Sequence, residues 1–128
     1  MGLEQLDSGT APAPDTSVAP RPLLRGWSHV GAFVAVLVAG PLLVVHAPTT
    51  ATTLALTVYV LSLAALFGVS ASFHRIRWSA VGRRRMRRAD HATIFLAIAG
   101  SYTAVAVLSL GGWAEVVVLC LVWLGGVA

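Results

Sequence analysis

Ser70-Ala71-Ser72-Phe73-His74, then seven arginines between positions 75 and 88, then Asp90-His91-Ala92 opening a run that stays largely apolar past Tyr102: this stretch sets the chain's densest charge between two apolar runs. It closes one long apolar segment with a histidine, turns on a dense positive patch and opens the next apolar segment with a carboxylate. Ionisable side chains at the ends of membrane-crossing segments are costly, and where they occur they usually serve function.

Composition points to a membrane. The 128 residues are 57% hydrophobic and 11% charged, with a mean hydropathy of +0.82, and the charges are gathered in a few places rather than spread over a surface. A net charge of +4 would suit nucleic acid, but seven of the nine basic residues lie in the Arg75 to Arg88 segment, hemmed in by apolar runs. That setting suits lipid headgroups instead, and no nucleic-acid partner is expected. Cys120 stands alone inside an apolar run. It excludes an intrachain disulfide and a cysteine-based metal cluster, and reads as a small buried hydrophobe.

The pattern predicts an all-α, polytopic transmembrane helical bundle. Residues 1–22, rich in Ala, Pro, Ser, Thr and Asp, read as a disordered cytoplasmic tail. The helical domain follows over 23–128, with spans at about 26–47, 50–73 and 92–110 and an incomplete fourth from Trp113 to Ala128. Pro41 is expected to kink the first span. The fourth run is shorter than the ~20 residues a bilayer core requires and carries Glu115, so the expectation is three complete spans and part of a fourth, cut from a longer protein.

Orientation follows from the arginines, because short Arg-rich segments are retained in the cytoplasm. Arg21 and Arg25 precede the first span, the dense group lies between the second and third, and the intervening Ala47-Pro48-Thr49-Thr50 is uncharged. The amino terminus is therefore expected in the cytoplasm, and Trp27, Trp78 and Trp113 near span ends fit interfacial belts. Ser28-His29, Ser70 with His74, and Asp90-His91 then share one cytoplasmic layer, while His46 lies roughly 30 Å away at the other face. Ser70 and His74, one turn apart, project from the same side, and Asp90, Ala97 and Ser101 fall on one stripe whose small residues permit close packing.

A neutral imidazole is a good zinc ligand, a carboxylate can hold a metal-associated water or act as a base, and a nearby hydroxyl can orient the imidazole. Each residue also has a plainer reading. Asp90 can be the N-cap of the third helix, His74 an interfacial histidine and Ser70 a hydroxyl bonded back to its own helix, while His29 and His91 read as interfacial or packing residues. Two candidate ligands are fewer than the three or four a zinc site needs.

The pattern Ser70-x-x-x-His74, followed across the basic segment by Asp90-His91-Ala92-Thr93-Ile94-Phe95 and then Ala99-Gly100-Ser101-Tyr102-Thr103, closely resembles the haemolysin III branch of the progestin and adipoQ receptor family. Arg25-Gly26-Trp27-Ser28-His29 is similar to the start of the first helix in bacterial members, and the resemblance covers roughly Arg21 to Ala128. It implies a seven-helix membrane protein with a zinc site on the cytoplasmic side, in a wider group that includes alkaline ceramidases. By resemblance His74 is a direct zinc ligand, Asp90 contributes through a water and is the catalytic carboxylate, and Ser70 is a supporting hydroxyl. The chain departs from the family at Ala104, where bacterial relatives commonly carry proline, and nothing after Asp90 supplies the His-x-x-x-His pair of the last helix. With one direct ligand, this polypeptide is expected to bind zinc weakly or not at all.

Two functions are consistent with these features. One is a zinc-dependent membrane hydrolase of a lipid amide or ester in the plasma membrane. The other is a non-enzymatic pore former or lipid-responsive regulator with a structural zinc. Clustering of the polar pairs at one depth favours metal chemistry, since a pore would need a polar stripe through the whole bilayer. Arg83, Arg84, Arg85, Arg87 and Arg88 are expected to set topology and to hold anionic headgroups.

Overall fold

The computed structural model describes residues 26–127; the expected disordered tail lies outside them. Four helices follow one another: α1 (Trp27–Val45), α2 (Thr50–Arg75), α3 (Ala80–Ser109) and α4 (Gly112–Val127), with no strand among the described residues. The first three each contain an apolar window, of mean hydropathy 2.1, 2.1 and 1.8, long enough to cross a membrane; α4 is apolar but shorter. The all-α transmembrane architecture is thus realised, and α1 continues through Pro41 as a single helix.

The third helix extends well beyond the expected span at 92–110, since α3 begins at Ala80. Hydropathy marks where a helix enters hydrocarbon, not where it starts winding, and arginine is a good helix former. Ser79 caps the end, its Oγ accepting the Gly82 amide at 3.2 Å. The arginine segment is therefore mostly helical, and Asp90 sits three turns inside α3. The N-cap reading of Asp90 is excluded. Thirty residues make a helix about 45 Å long against a hydrocarbon core of about 30 Å, so the basic first turns project beyond the core.

Packing runs in sequence order, α1 on α2, α2 on α3 and α3 on α4. Small residues let these helices approach closely, as they must where no hydrophobic effect drives association. On α3, Thr93, Ala97, Gly100 and Ala104 are buried along one stripe, while Ala99, Thr103 and Ala106 are buried along another. Gly100 marks the α2–α3 crossing: a Cβ there would lie 2.8 Å from Cβ of Ser62 and 3.4 Å from the Val58 carbonyl oxygen. The second stripe meets α4, where the Trp123 indole N–H donates to Thr103 Oγ1 at 3.1 Å.

The helices bury hydroxyls as well as methyl groups. Thr52, Ser62, Ser70, Thr93 and Thr103 are all below 10% exposed. Ser62 donates to the Tyr59 carbonyl and Thr103 to that of Ala99, so these groups are satisfied within their own helices. Leucines, valines and isoleucines instead cover the outside, as a lipid environment allows. Cys120 belongs to that outer surface, not to a core as its sequence context suggested. The reason is that α4 packs on α3 alone and keeps its far side open.

Candidate functional site

Register follows from three close approaches between α1 and α2. Gly26 meets His74, Phe33 meets Gly68 and Gly40 meets Val60, so stepping by two turns along one helix retraces about two turns along the other. Gly26 adopts φ of 92°, the left-handed conformation that glycine takes without strain. Its missing side chain also lets the α1 start lie against His74, where a Cβ would come within 3.1 Å of the histidine Cβ. His29, three residues further in, is level with Ala71.

The contact of Ser62 with Gly100 fixes the depth of α3 in the same way. Ten residues toward the arginine-bearing end stand Ser72 on α2 and Asp90 on α3. His29, Ser70, His74 and Asp90 therefore fall within about one helical turn of one another in depth, some 6 Å. The one-layer arrangement read from the sequence is what the helices build.

Within that layer the structure brings two imidazoles together. The rings of His29 and His74 have centroids 6.1 Å apart at an interplanar angle of 38°. His29 also lies against Phe67 at 6.2 Å, and His74 against Phe73 at 5.1 Å. The Nδ1 atom of His29 is buried and has no hydrogen-bond partner. Leaving such a nitrogen unsatisfied costs about 1–3 kcal/mol. Ser70 is buried at 6% exposure one turn before His74. The hydroxyl that bonds back to the helix is that of its neighbour Ser72, which donates to Gly68 at 2.8 Å.

Asp90 is half-buried and lies on the Ala97 side of the stripe that α3 turns toward α2. Thr93 donates its hydroxyl to the Asp90 backbone carbonyl at 2.9 Å, which leaves the carboxylate oxygens free of that bond. The other two histidines are engaged elsewhere. His91 Nδ1 is exposed and donates to the Arg87 carbonyl at 2.9 Å. His46 Nδ1 donates to the Leu42 carbonyl at 2.7 Å at the far end of α1.

Zinc requires three or four N, O or S donors. Among the described residues no group of three or more His, Cys, Asp or Glu side chains converges closely enough to hold a metal. His29 and His74 are two nitrogen donors side by side, fewer than a zinc site needs. His29, which reads in the sequence as an interfacial or packing residue, is the imidazole that meets His74. Its depth was legible, but its orphaned nitrogen arises only when α1 packs on α2.

The basic residues frame this layer. The Arg75 guanidinium lies 4.1 Å from the Trp27 ring centroid, and that of Arg83 lies 5.5 Å from Phe73. Arg83, Arg84, Arg85, Arg87 and Arg88 are exposed along the first turns of α3.

Residues 18–128 match the family model described as haemolysin-III related. The chain belongs to that family. The match spans all four helices and the polar layer, so the haemolysin-III assignment agrees with the resemblance carried by Ser70, His74 and Asp90. No solved structure matches the chain.

Proposed function

We propose that this haemolysin-III related protein acts as a zinc-dependent hydrolase of a lipid amide or ester. In this reading the site lies at the cytoplasmic side of the plasma membrane, the amino terminus is cytoplasmic, and further ligands come from outside the described residues. The observation that carries the reading is the meeting of His29 and His74 at the depth of Asp90, within an otherwise apolar bundle. When bound, zinc polarises a carbonyl and makes water a usable nucleophile near neutral pH.

The chain's own residues have separate tasks. His74 would hold the metal through a ring nitrogen. Ser70, buried one turn away, limits the orientations of that imidazole. Asp90 would accept a proton from water on a carboxylate oxygen. A lipid substrate suits the surroundings, because an apolar groove of about 380 Å³ between α1 and α2 is lined by Val30, Phe33, Gly68 and Ser72. Arg83, Arg84, Arg85, Arg87 and Arg88 hold anionic headgroups beside it, each contributing about 1 kcal/mol near the surface.

Purified full-length protein in mixed lipid vesicles is expected to cleave a lipid amide or ester, to lose that activity on removal of zinc by a chelator, and to regain it when zinc is restored. Dye release from the vesicles that is indifferent to the chelator, without lipid cleavage, would identify a pore instead. Bound zinc with no cleavage across lipid classes would identify a structural metal.

A further inference from the structure

We propose that the acidic segment of residues 1–20 docks on the exposed arginine face at the start of α3, as an intramolecular counter-charge to Arg83, Arg84, Arg85, Arg87 and Arg88. The docking goes beyond the hydrolase reading and is independent of any metal.

Charge complementarity is the first support. Three of the five acidic residues, Glu4, Asp7 and Asp15, fall within residues 1–20, where no basic residue stands. The five arginines at the start of α3 are all exposed. Among the described residues only Asp90 and Glu115 are acidic, too few to neutralise them, and Glu115 lies in the first turn of α4, at the opposite end of α3. Position is the second support. A Cβ at Gly26, where the described residues begin, would lie 3.1 Å from the His74 Cβ and 3.5 Å from the Arg75 Cγ. The His74 ring lies 5.1 Å from that of Phe73, and the Arg83 guanidinium 5.5 Å from the same Phe73 ring. The acidic segment is therefore joined to the helices a few side chains from Arg83.

Reach is the third support. Asp15 stands eleven positions before Gly26. A chain of that length spans about 18 Å as a coil and about 37 Å when extended, whereas Arg83 to Arg88 rise only about 7.5 Å along the helix. The first turns of α3 project beyond the hydrocarbon, so each carboxylate–guanidinium pair is exposed, weak and screened by salt. Tethering compensates by holding the acids at an effective concentration in the millimolar range. The docked state is thus a salt-sensitive equilibrium, and anionic headgroups compete with the segment for the same guanidiniums.

Spin labels at Ser8→Cys and at Val81→Cys, an exposed position on the first turn of α3, report the distance directly once Cys120→Ser removes the other thiol. The labelled protein is compared in phosphatidylcholine vesicles with its Glu4→Gln/Asp7→Asn/Asp15→Asn variant, whose changes lie outside the helices and leave their packing intact. The expected result is a short-distance population at low salt that falls about threefold or more in the neutralised variant, and likewise on raising the salt. A distance distribution identical in the two proteins, or a short-distance population indifferent to salt, would overturn the docking. Vesicles containing phosphatidylglycerol supply the competing occupant. Loss of the short-distance population there supports one face shared by segment and headgroup. Its persistence unchanged would support the segment as the stronger occupant and overturn the headgroup reading of these arginines.

Discussion

Gly100→Val is expected to destabilise the protein by about 3 kcal/mol or more, enough to abolish the α2–α3 packing on which the polar layer depends. A Cβ at this position would collide with the Ser62 side chain and approach the Val58 carbonyl. Rotation of the Ser62 hydroxyl could relieve only its Oγ contact, because the Ser62 Cβ itself lies 2.8 Å away and is fixed to the backbone. The helices must therefore move apart along the whole crossing, and overpacking of this kind commonly costs 1–3 kcal/mol even where side chains can adjust. The matched control is Gly125→Val on α4, where nothing lies within 4 Å. Thermal unfolding in detergent, followed by circular dichroism, should show a large loss for the first and little change for the second. Equal behaviour of the two would contradict the register from which the depth of Asp90 was derived.

The second large effect concerns Asp90. Asp90→Asn keeps the shape of the side chain and removes its capacity to accept a proton, so lipid turnover is expected to fall about 10²–10⁴-fold. Zinc content should change far less, since Asp90 acts on a water rather than as a direct donor. Stability should also hold, because Asp90 is only half-buried and caps no helix. Parallel kinetics and metal analysis read both quantities from one preparation. Loss of zinc together with turnover would make Asp90 a ligand, and unaltered turnover would remove it from the chemistry.

How much of this was legible beforehand depends on the kind of information each feature uses. The extents of the first two helices were, because α1 and α2 end within about two residues of the apolar segments read at 26–47 and 50–73. So was the shared depth of His29, His74 and Asp90, since alternating helices of known rise fix depth by counting. The start of α3 was not, because arginines are poor in hydropathy but good in helix propensity, and the two signals separate at a headgroup layer. Nor was the exposure of Cys120, which depends on α4 having one neighbour. The pairing of His29 with His74 needed the rotation of α1 about its own axis. With a single partner helix and apolar residues all round, α1 has no amphipathic pattern from which that rotation could be read.

The most direct test of a metal site at the arginine-bearing end is the zinc content of purified full-length protein, wild type against His74→Ala. About one zinc per chain in the wild type and a nearly complete loss in His74→Ala is the result expected. Equal zinc in the two, or none in the wild type after purification without chelator, would contradict it.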